Sequence, residues 1–598
     1  MRNRVIPLIL GCLVVAALVL ASCGPAATTT PPTTAPPTTA PPTTAPPTMT
    51  PTKEVPKYGG TISFINASTT VTTTFDPAIA TTPTYTASVV YGRLGVGDWT
   101  KGPEGTNEYS YESTWIADPY LTGELAESWE RPDLNIIIFH LRKGVYWQNI
   151  PPVNGREFTA DDVVYSFEYN KKEPRSVWYG TGAKCEKIDK YTIKVSEGEP
   201  PVTFRKLHSW TNWLYILPKE AVDKATADKT TINDWRYTVG IGPFMLKDVV
   251  SGSSCTLVRN PTYWRSDPFH PENKLPYVDK LELLVMIDES TALAAMRTGK
   301  IERLAVSFDK AAGLKQTNPE LKFRRINPDY GYVVFLRTDI APFSDVRVRQ
   351  ALMLGVDYQG IARDYFGGDA VIQNWPMATF MGDAYTPLEQ LPADAKELFS
   401  YSPEKAKKLL ADAGYPNGFK TQLVIGNWTR HVDEMSMLKE YLAKIGVDAT
   451  LNVMEPGTYT TSLYGKRYPG MIYVRGWSNN GDEDALGWAH GGWVGAKGEP
   501  SVYNFSNVVD PVAVEVFNKI MTNPSQKERD VLRKEEAIRE IKLAWELPIP
   551  AANWYMFWQP WLKGYKGEVG MGPDPPEGTM VYTYIWVDQA LKNSLTGR

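Results

Sequence analysis

The chain has 598 residues, 43% of them hydrophobic, which is enough for several domain cores and too apolar for a disordered polymer. It carries 63 basic and 67 acidic residues, a net charge of -4, and this mild acidity excludes the broad basic surface of a nucleic-acid binder. Its five histidines, His140, His208, His270, His431 and His490, are scattered without ligand spacing, so neither a metal site nor a cofactor is expected.

Residues 1–22 read as a secretory signal: Arg2 and Arg4, an apolar stretch from Val5 to Leu20, then small residues. The stretch is short for a membrane span. The run Leu20-Ala21-Ser22-Cys23-Gly24 resembles the bacterial lipobox, which implies lipid on Cys23, cleavage before it, and an exported protein anchored on the extracytoplasmic or periplasmic face of the cell membrane. Without Arg2 and Arg4 the mature chain has 61 basic against 67 acidic residues. Cys12 leaves with the signal, so Cys185 and Cys255 are the remaining ordinary thiols, either paired outside the cell or buried singly as apolar residues. Later apolar runs such as Ile136 to Phe139 are of strand length, so no second anchor is expected. Residues 23–56 form a linker in which Pro-Pro-Thr-Thr-Ala repeats three times from Pro31 to Ala45. Proline holds it extended, and at about 3.1 Å per residue it reaches roughly 80 Å.

Beyond Lys57 the composition becomes that of a folded protein. Thr61 to Ile65 is an apolar, β-prone strand, and Phe75-Asp76-Pro77 a turn. Asn135 to Leu141 predicts a strand turning at Arg142-Lys143-Gly144, and a second strand ends at Thr159. Thr159 with Asp162 three positions on is a capping-box start for a helix to about Asn170. Asp345 caps another helix, on which Val346, Ala351 and Leu352 share a buried face while Arg347 and Arg349 read as solvated charges. Ser402, Pro403 and Glu404 start a third helix, which Gly414 ends in a left-handed conformation.

Several of these segments carry a resemblance. Leu125 to Glu130 (LAESWE), Phe139 to Trp147 (FHLRKGVYW) and Phe158 to Tyr169 (FTADDVVYSFEY) resemble, in order and spacing, the signature of the extracellular solute-binding proteins, family 5, of peptide-, nickel- and oligosaccharide-type ABC importers. Ile216 to Glu220, Gly240 to Phe244, Leu257 to Trp264, Ala292 to Ile301, Pro342 to Leu352, Tyr401 to Ala406 and Gly476-Trp477 continue the series, which covers residues 57–598. The resemblance implies an α/β fold of the type II periplasmic-binding-protein class (cluster C): two lobes with a hinge and an inserted third domain. Carried onto this chain, lobe I is drawn from about 57–100, 215–310 and 555–598, the insertion from 101–214, and lobe II from 311–554. It also implies capture of an oligopeptide or similar solute by a monomer that hands it to ABC permease subunits, with no catalysis of its own.

In peptide-binding relatives an Asp three residues after the Trp of the Gly-Trp pair meets the ligand's ammonium group; here Asn480 stands there, and an amide cannot neutralise that charge. Asp482 is the nearest substitute. Trp477, Ser478 and Arg475 flank it, and Asn374, Trp375 and Trp493 are further candidates. Asn66 joins them because ligands of α/β lobes lie beyond the carboxyl ends of strands. The 19 tryptophans also suit stacking on sugar rings, so an oligosaccharide is the alternative solute.

Enzymatic readings find little support: no G-x-S-x-G elbow, H-E-x-x-H helix or phosphate-binding loop occurs. The acidic run Asp482, Glu483 and Asp484 could imitate a glycoside hydrolase pair or the start of a calcium loop, but Ala485 replaces the glycine such a loop needs, and a solvated acidic loop is preferred. A surface-anchored glycoside hydrolase and a receptor that docks a membrane sensor remain the readings of other classes.

Overall fold

Strand Thr61–Asn66 runs parallel to Lys280–Val285, which pairs antiparallel with Ser254–Arg259 and through it with Phe244–Val250. This is a computed structural model, and it describes residues 54–66, 72–78, 85–112, 116, 118–133, 135–171, 182–196, 207, 210–211, 214–328, 331–476, 486, 500, 503–569 and 579–597. Cys23 and nearly all of the Thr/Pro tract therefore lie outside the described residues, and Pro56–Arg598 forms one compact unit. Among the described residues no helix is long and apolar enough to cross a membrane.

The pleat explains the first sheet, since every second side chain must share a face. Ile62 and Phe64 stand opposite Leu281 and Leu283, and all four enter one core with Phe244, Leu257, Trp558, Trp561, Tyr582 and Ile585. Segments far apart in sequence thus close this core, as in the stacking of Phe64 on Tyr582 at 4.4 Å.

A separate antiparallel sheet takes the order Ala126–Asp133, Ile136–Leu141, Thr192–Ser196 and Lys184–Asp189. The expected helix covers it as Ala160–Asn170, with the capping box between Thr159 and Asp162 in place. Its Phe167 stacks on Trp210 at 4.8 Å inside a core that includes Phe139, Trp147 and Phe158. Cys185 lies in this sheet and Cys255 in the first; both are buried and neither is in a disulfide. Of the two readings of these thiols, the structure has the singly buried one.

The third large sheet has the order Val447–Met454, Phe419–Gly426, Met471–Gly476, Gly331–Leu336 and Glu546–Ile549, its first three strands mutually parallel. It is buried on both faces, which is why Gly331–Leu336 reads as an unbroken apolar run. Val334 and Leu336 enter one core, with helices Val346–Leu354, Pro403–Asp412 and Thr429–Lys444, while Val333 and Phe335 enter another on the opposite face. Asp345 caps its helix as expected, and Gly414 has a φ of +95° just beyond the third predicted helix.

Arg349 corrects the sequence reading. It is 5% exposed, and its guanidinium donates to the carbonyls of Phe343, Ser344 and Leu543, so it is a buried clasp and not a solvated charge. Arg347 stays at the surface, paired with Asp345.

A small sheet of Arg303–Ser307, Trp554–Trp558 and Lys322–Ile326 joins the two halves. The chain leaves the first core after Ile326 and enters the third sheet at Gly331; it returns between Ala552 and Trp554.

Candidate ligand cleft

The parallel strands Phe419–Gly426, Val447–Met454 and Met471–Gly476 all end at one edge of their sheet, the edge where α/β folds hold ligands. Asn427 ties two of the ends together: its N–H donates to the Met454 carbonyl (3.0 Å) and its side-chain amide to Glu455 (3.0 Å). The next residue, Trp428, is 43% exposed and folds its ring back over Gly426, where a Cβ would come within 1.9 Å of it. Trp428 stands at the N-cap of helix Thr429–Lys444 but supplies no capping bond, so the positive end of a 16-residue helix faces this edge uncapped by its N-cap side chain.

The first turn of that helix carries Arg430 and His431. Arg430 donates from Nε to Oε1 of Glu434 at 2.7 Å and lies over the ring of Tyr332, 3.9 Å from its centroid. Its Nη2 is buried and has no hydrogen-bond partner among the described residues. Glu434 is fully buried below it and also accepts from the Tyr473 hydroxyl. Burial pushes the Glu434 carboxyl up while Arg430 pulls it back; burial depresses Arg430, yet Glu434 together with Tyr332 and Tyr473 outweighs it and raises the guanidinium. The guanidinium therefore stays charged. The His431 ring packs against Tyr473 and Trp428, each at 4.8 Å, and burial followed by the charge of Arg430 lowers it to about 4. It is neutral at physiological pH, and its buried Nδ1 has no hydrogen-bond partner among the described residues. The edge thus offers a fixed cation, uncapped helix N–H groups and aromatic faces, a combination suited to an anionic group on a partly apolar solute.

On the other side of the molecule's hinge, a cavity of about 280 Å³ opens beyond the carboxyl ends of the parallel pair Thr61–Asn66 and Lys280–Val285. Phe64, Ile65, Met286, Leu304 and Met556 give it apolar walls, and Glu289 and Arg303 add charge.

The expected site residues fall into three groups. Asn66 ends its strand beside Ile65, and Arg475 pairs across to Tyr332 in the third sheet; the side chains of both lie outside the described residues. Trp477, Ser478, Asn480, Asp482 and Trp493 lie wholly outside them. Asn374 and Trp375 are described and buried. The Asn374 amide donates to the Pro328 carbonyl at 3.1 Å, and Trp375 packs edge-on to Phe335 at 5.7 Å with its indole N–H 3.5 Å from Glu546. Gly331 admits this pair closely, since a Cβ there would stand 3.0 Å from both the Asn374 carbonyl oxygen and the Trp375 ring.

Sequence reasoning missed Tyr332, Trp428, Arg430 and His431. The signal was the run Asn427-Trp428-Thr429-Arg430-His431 directly after an apolar strand, the same position that singled out Asn66.

Residues 121–496 match the family model of the bacterial extracellular solute-binding proteins, family 5, middle region. The chain belongs to this family. Over 390 residues it is 30% identical to heme-binding protein A of Haemophilus influenzae, an alignment of 60% of this chain and 66% of that protein, just under two thirds of its length. It is 27% identical over 394 residues to the dipeptide-binding protein of Escherichia coli, covering 60% of this chain and 68% of that one. Among solved structures it is similar to the ABC transporter-associated periplasmic binding protein DppA from Helicobacter pylori in complex with peptide STSA, with a TM-score of 0.66 and 24% identity over 89% of this chain and 99% of that chain. HbpA2 from Haemophilus parasuis gives a TM-score of 0.68 at 21% identity, covering 88% and 100%. The fold is thus the two-lobed α/β solute-binding fold, in a family of binding proteins and not of enzymes.

Proposed function

We propose that this protein captures an oligopeptide or similar extended solute between its lobes and delivers it, as a monomer, to the permease subunits of an ABC importer, tethered to the membrane by lipid on Cys23. A solute that touches both lobes favours their closed arrangement by its differential affinity. The observation that carries the reading is the charged Arg430 resting on Tyr332 at the strand ends of the third sheet, with one guanidinium nitrogen that has no hydrogen-bond partner among the described residues. A peptide carboxylate is the simplest anionic group of an extended solute to take that place. The relatives named for heme and for dipeptides bind different cargo, so ligand class has to be argued from this chain's own residues.

Calorimetric titration with short peptides bearing a free or an amidated C-terminus tests this. Binding that is strong for the free acid and lost on amidation is expected; equal binding of both forms contradicts the carboxylate contact. The oligosaccharide reading keeps one specific support, Asn480 at the position where a peptide's ammonium group needs a charge. Binding of neutral oligosaccharides in place of peptides selects it.

A further inference from the structure

One carboxylate holds both passages of the chain between the lobes. Asp369 follows Gly367 and Gly368, whose φ angles are +61° and +81°, and it sits between Phe366 and Ala370, which pack on the core of the third sheet. Its Oδ1 accepts from Nε of Arg325 at 2.6 Å; Arg325 is the penultimate residue of Lys322–Ile326, the strand before the first passage. The same oxygen accepts from the side-chain amide of Asn553 at 3.0 Å, and its Oδ2 from the hydroxyl of Tyr555 at 2.7 Å. Asn553 lies inside the second passage and Tyr555 just beyond it, in the strand paired with Lys322–Ile326. The Asn553 N–H donates to the Asp369 carbonyl at 3.0 Å, and Ala370–Val371 pairs with Ala551–Ala552 to extend the tie as a short ribbon.

These bonds span the joint; those from Asn553 and Tyr555 are part-buried, and the exposed one from Arg325 is charge-assisted. A hinge works through a few residues that absorb backbone rotation, and a group bonded to both strands at once restricts how far they turn independently.

We propose that Asp369 is a positioning residue that sets the angle between the lobes, coupling the two hinge passages so that they move as one. Its consequence for solute capture rests on the function proposed above, but the device itself does not, because its bonds are all made within the chain. Removing the carboxylate frees the passages from each other and spreads the ligand-free protein over a wider range of inter-lobe angles.

Spin labels at Val250→Cys and Val453→Cys, two exposed strand positions on opposite lobes, report this in the ligand-free full chain carrying Cys12→Ala and Cys23→Ala, since Cys185 and Cys255 are buried. The distance distribution in Asp369→Ala is expected to be about twofold broader than in the parent. Tyr555→Phe, which loses one bond, falls between them. Asp364→Asn, whose carboxylate pairs with the exposed Arg363, matches the parent. A merely structural tie would lower the melting temperature of Asp369→Ala and leave its distribution unchanged, and that result overturns the proposal. If Asp369→Ala does not fold, Arg325→Gln and Tyr555→Phe decide the question by the same readout. Absence of any peptide binding in the parent would sink the proposed solute and leave this result standing.

Discussion

The guanidinium of Arg430 lies 3.9 Å above the ring centroid of Tyr332, and this contact fixes the cation that the cleft presents. Arg430→Lys keeps the charge but loses the flat stacking and the fork of donors. Affinity for a carboxylate-bearing peptide is expected to fall about tenfold in Arg430→Lys and further in Arg430→Ala, in line with about 1.5 to 3 kcal/mol for a hydrogen bond to a charged group. Calorimetry with free and amidated peptide on both variants checks it: amidation should cost little once Arg430 is gone. Arg430→Ala also strands the buried Glu434, so its melting temperature has to be measured alongside.

The depressed His431 sets a pH dependence with a definite sign. As pH falls below 6.5 the unfolded chain protonates this histidine, while the folded protein resists until about 4. The unfolded state therefore binds more protons across that window, and stability falls as pH drops through it. His431→Gln is expected to flatten the loss by about 1 to 3 kcal/mol, measured by denaturant unfolding at pH 7 and pH 4.5. Identical slopes in parent and variant would show that the ring is not shielded.

Trp375 is 2% exposed, packed on Phe335 and Gly331 and hydrogen-bonded toward Glu546. Trp375→Ala is expected to destabilise the protein by about 3 to 5 kcal/mol, the usual cost of emptying such a site. Trp375→Phe should recover much of it. Full stability with reduced solute affinity would instead make this residue a ligand contact.

The two thiols sit in different sheets, and burial pushes each up to about 12. Reductant should leave the melting temperature unchanged, and in a Cys23→Ala chain a thiol reagent should react with both only after denaturation. A shift of several degrees on reduction would indicate a disulfide.

Local signals were the legible part of the fold. The capping box at Thr159, the Asp345 cap and the glycine after Asp412 act within a few residues, so sequence alone places them. Arg349 was not legible, because one carbonyl it clasps, that of Leu543, lies 194 residues away. The cleft divides the same way. The Gly-Trp landmark pointed to Trp477, which lies outside the described residues, whereas Arg430 and Glu434 look from spacing alone like any exposed i,i+4 pair. Their role depends on Tyr332 and Tyr473 arriving from neighbouring strands, which only sheet order reveals.

Titration of the purified protein with short free-acid peptides, followed by tryptophan fluorescence, tests solute capture most directly. A saturable change is expected that weakens about tenfold or more in Trp477→Ala while the melting temperature holds, as for a central aromatic anchor. No ligand-dependent change with peptides, nor with a matched oligosaccharide panel, would contradict it.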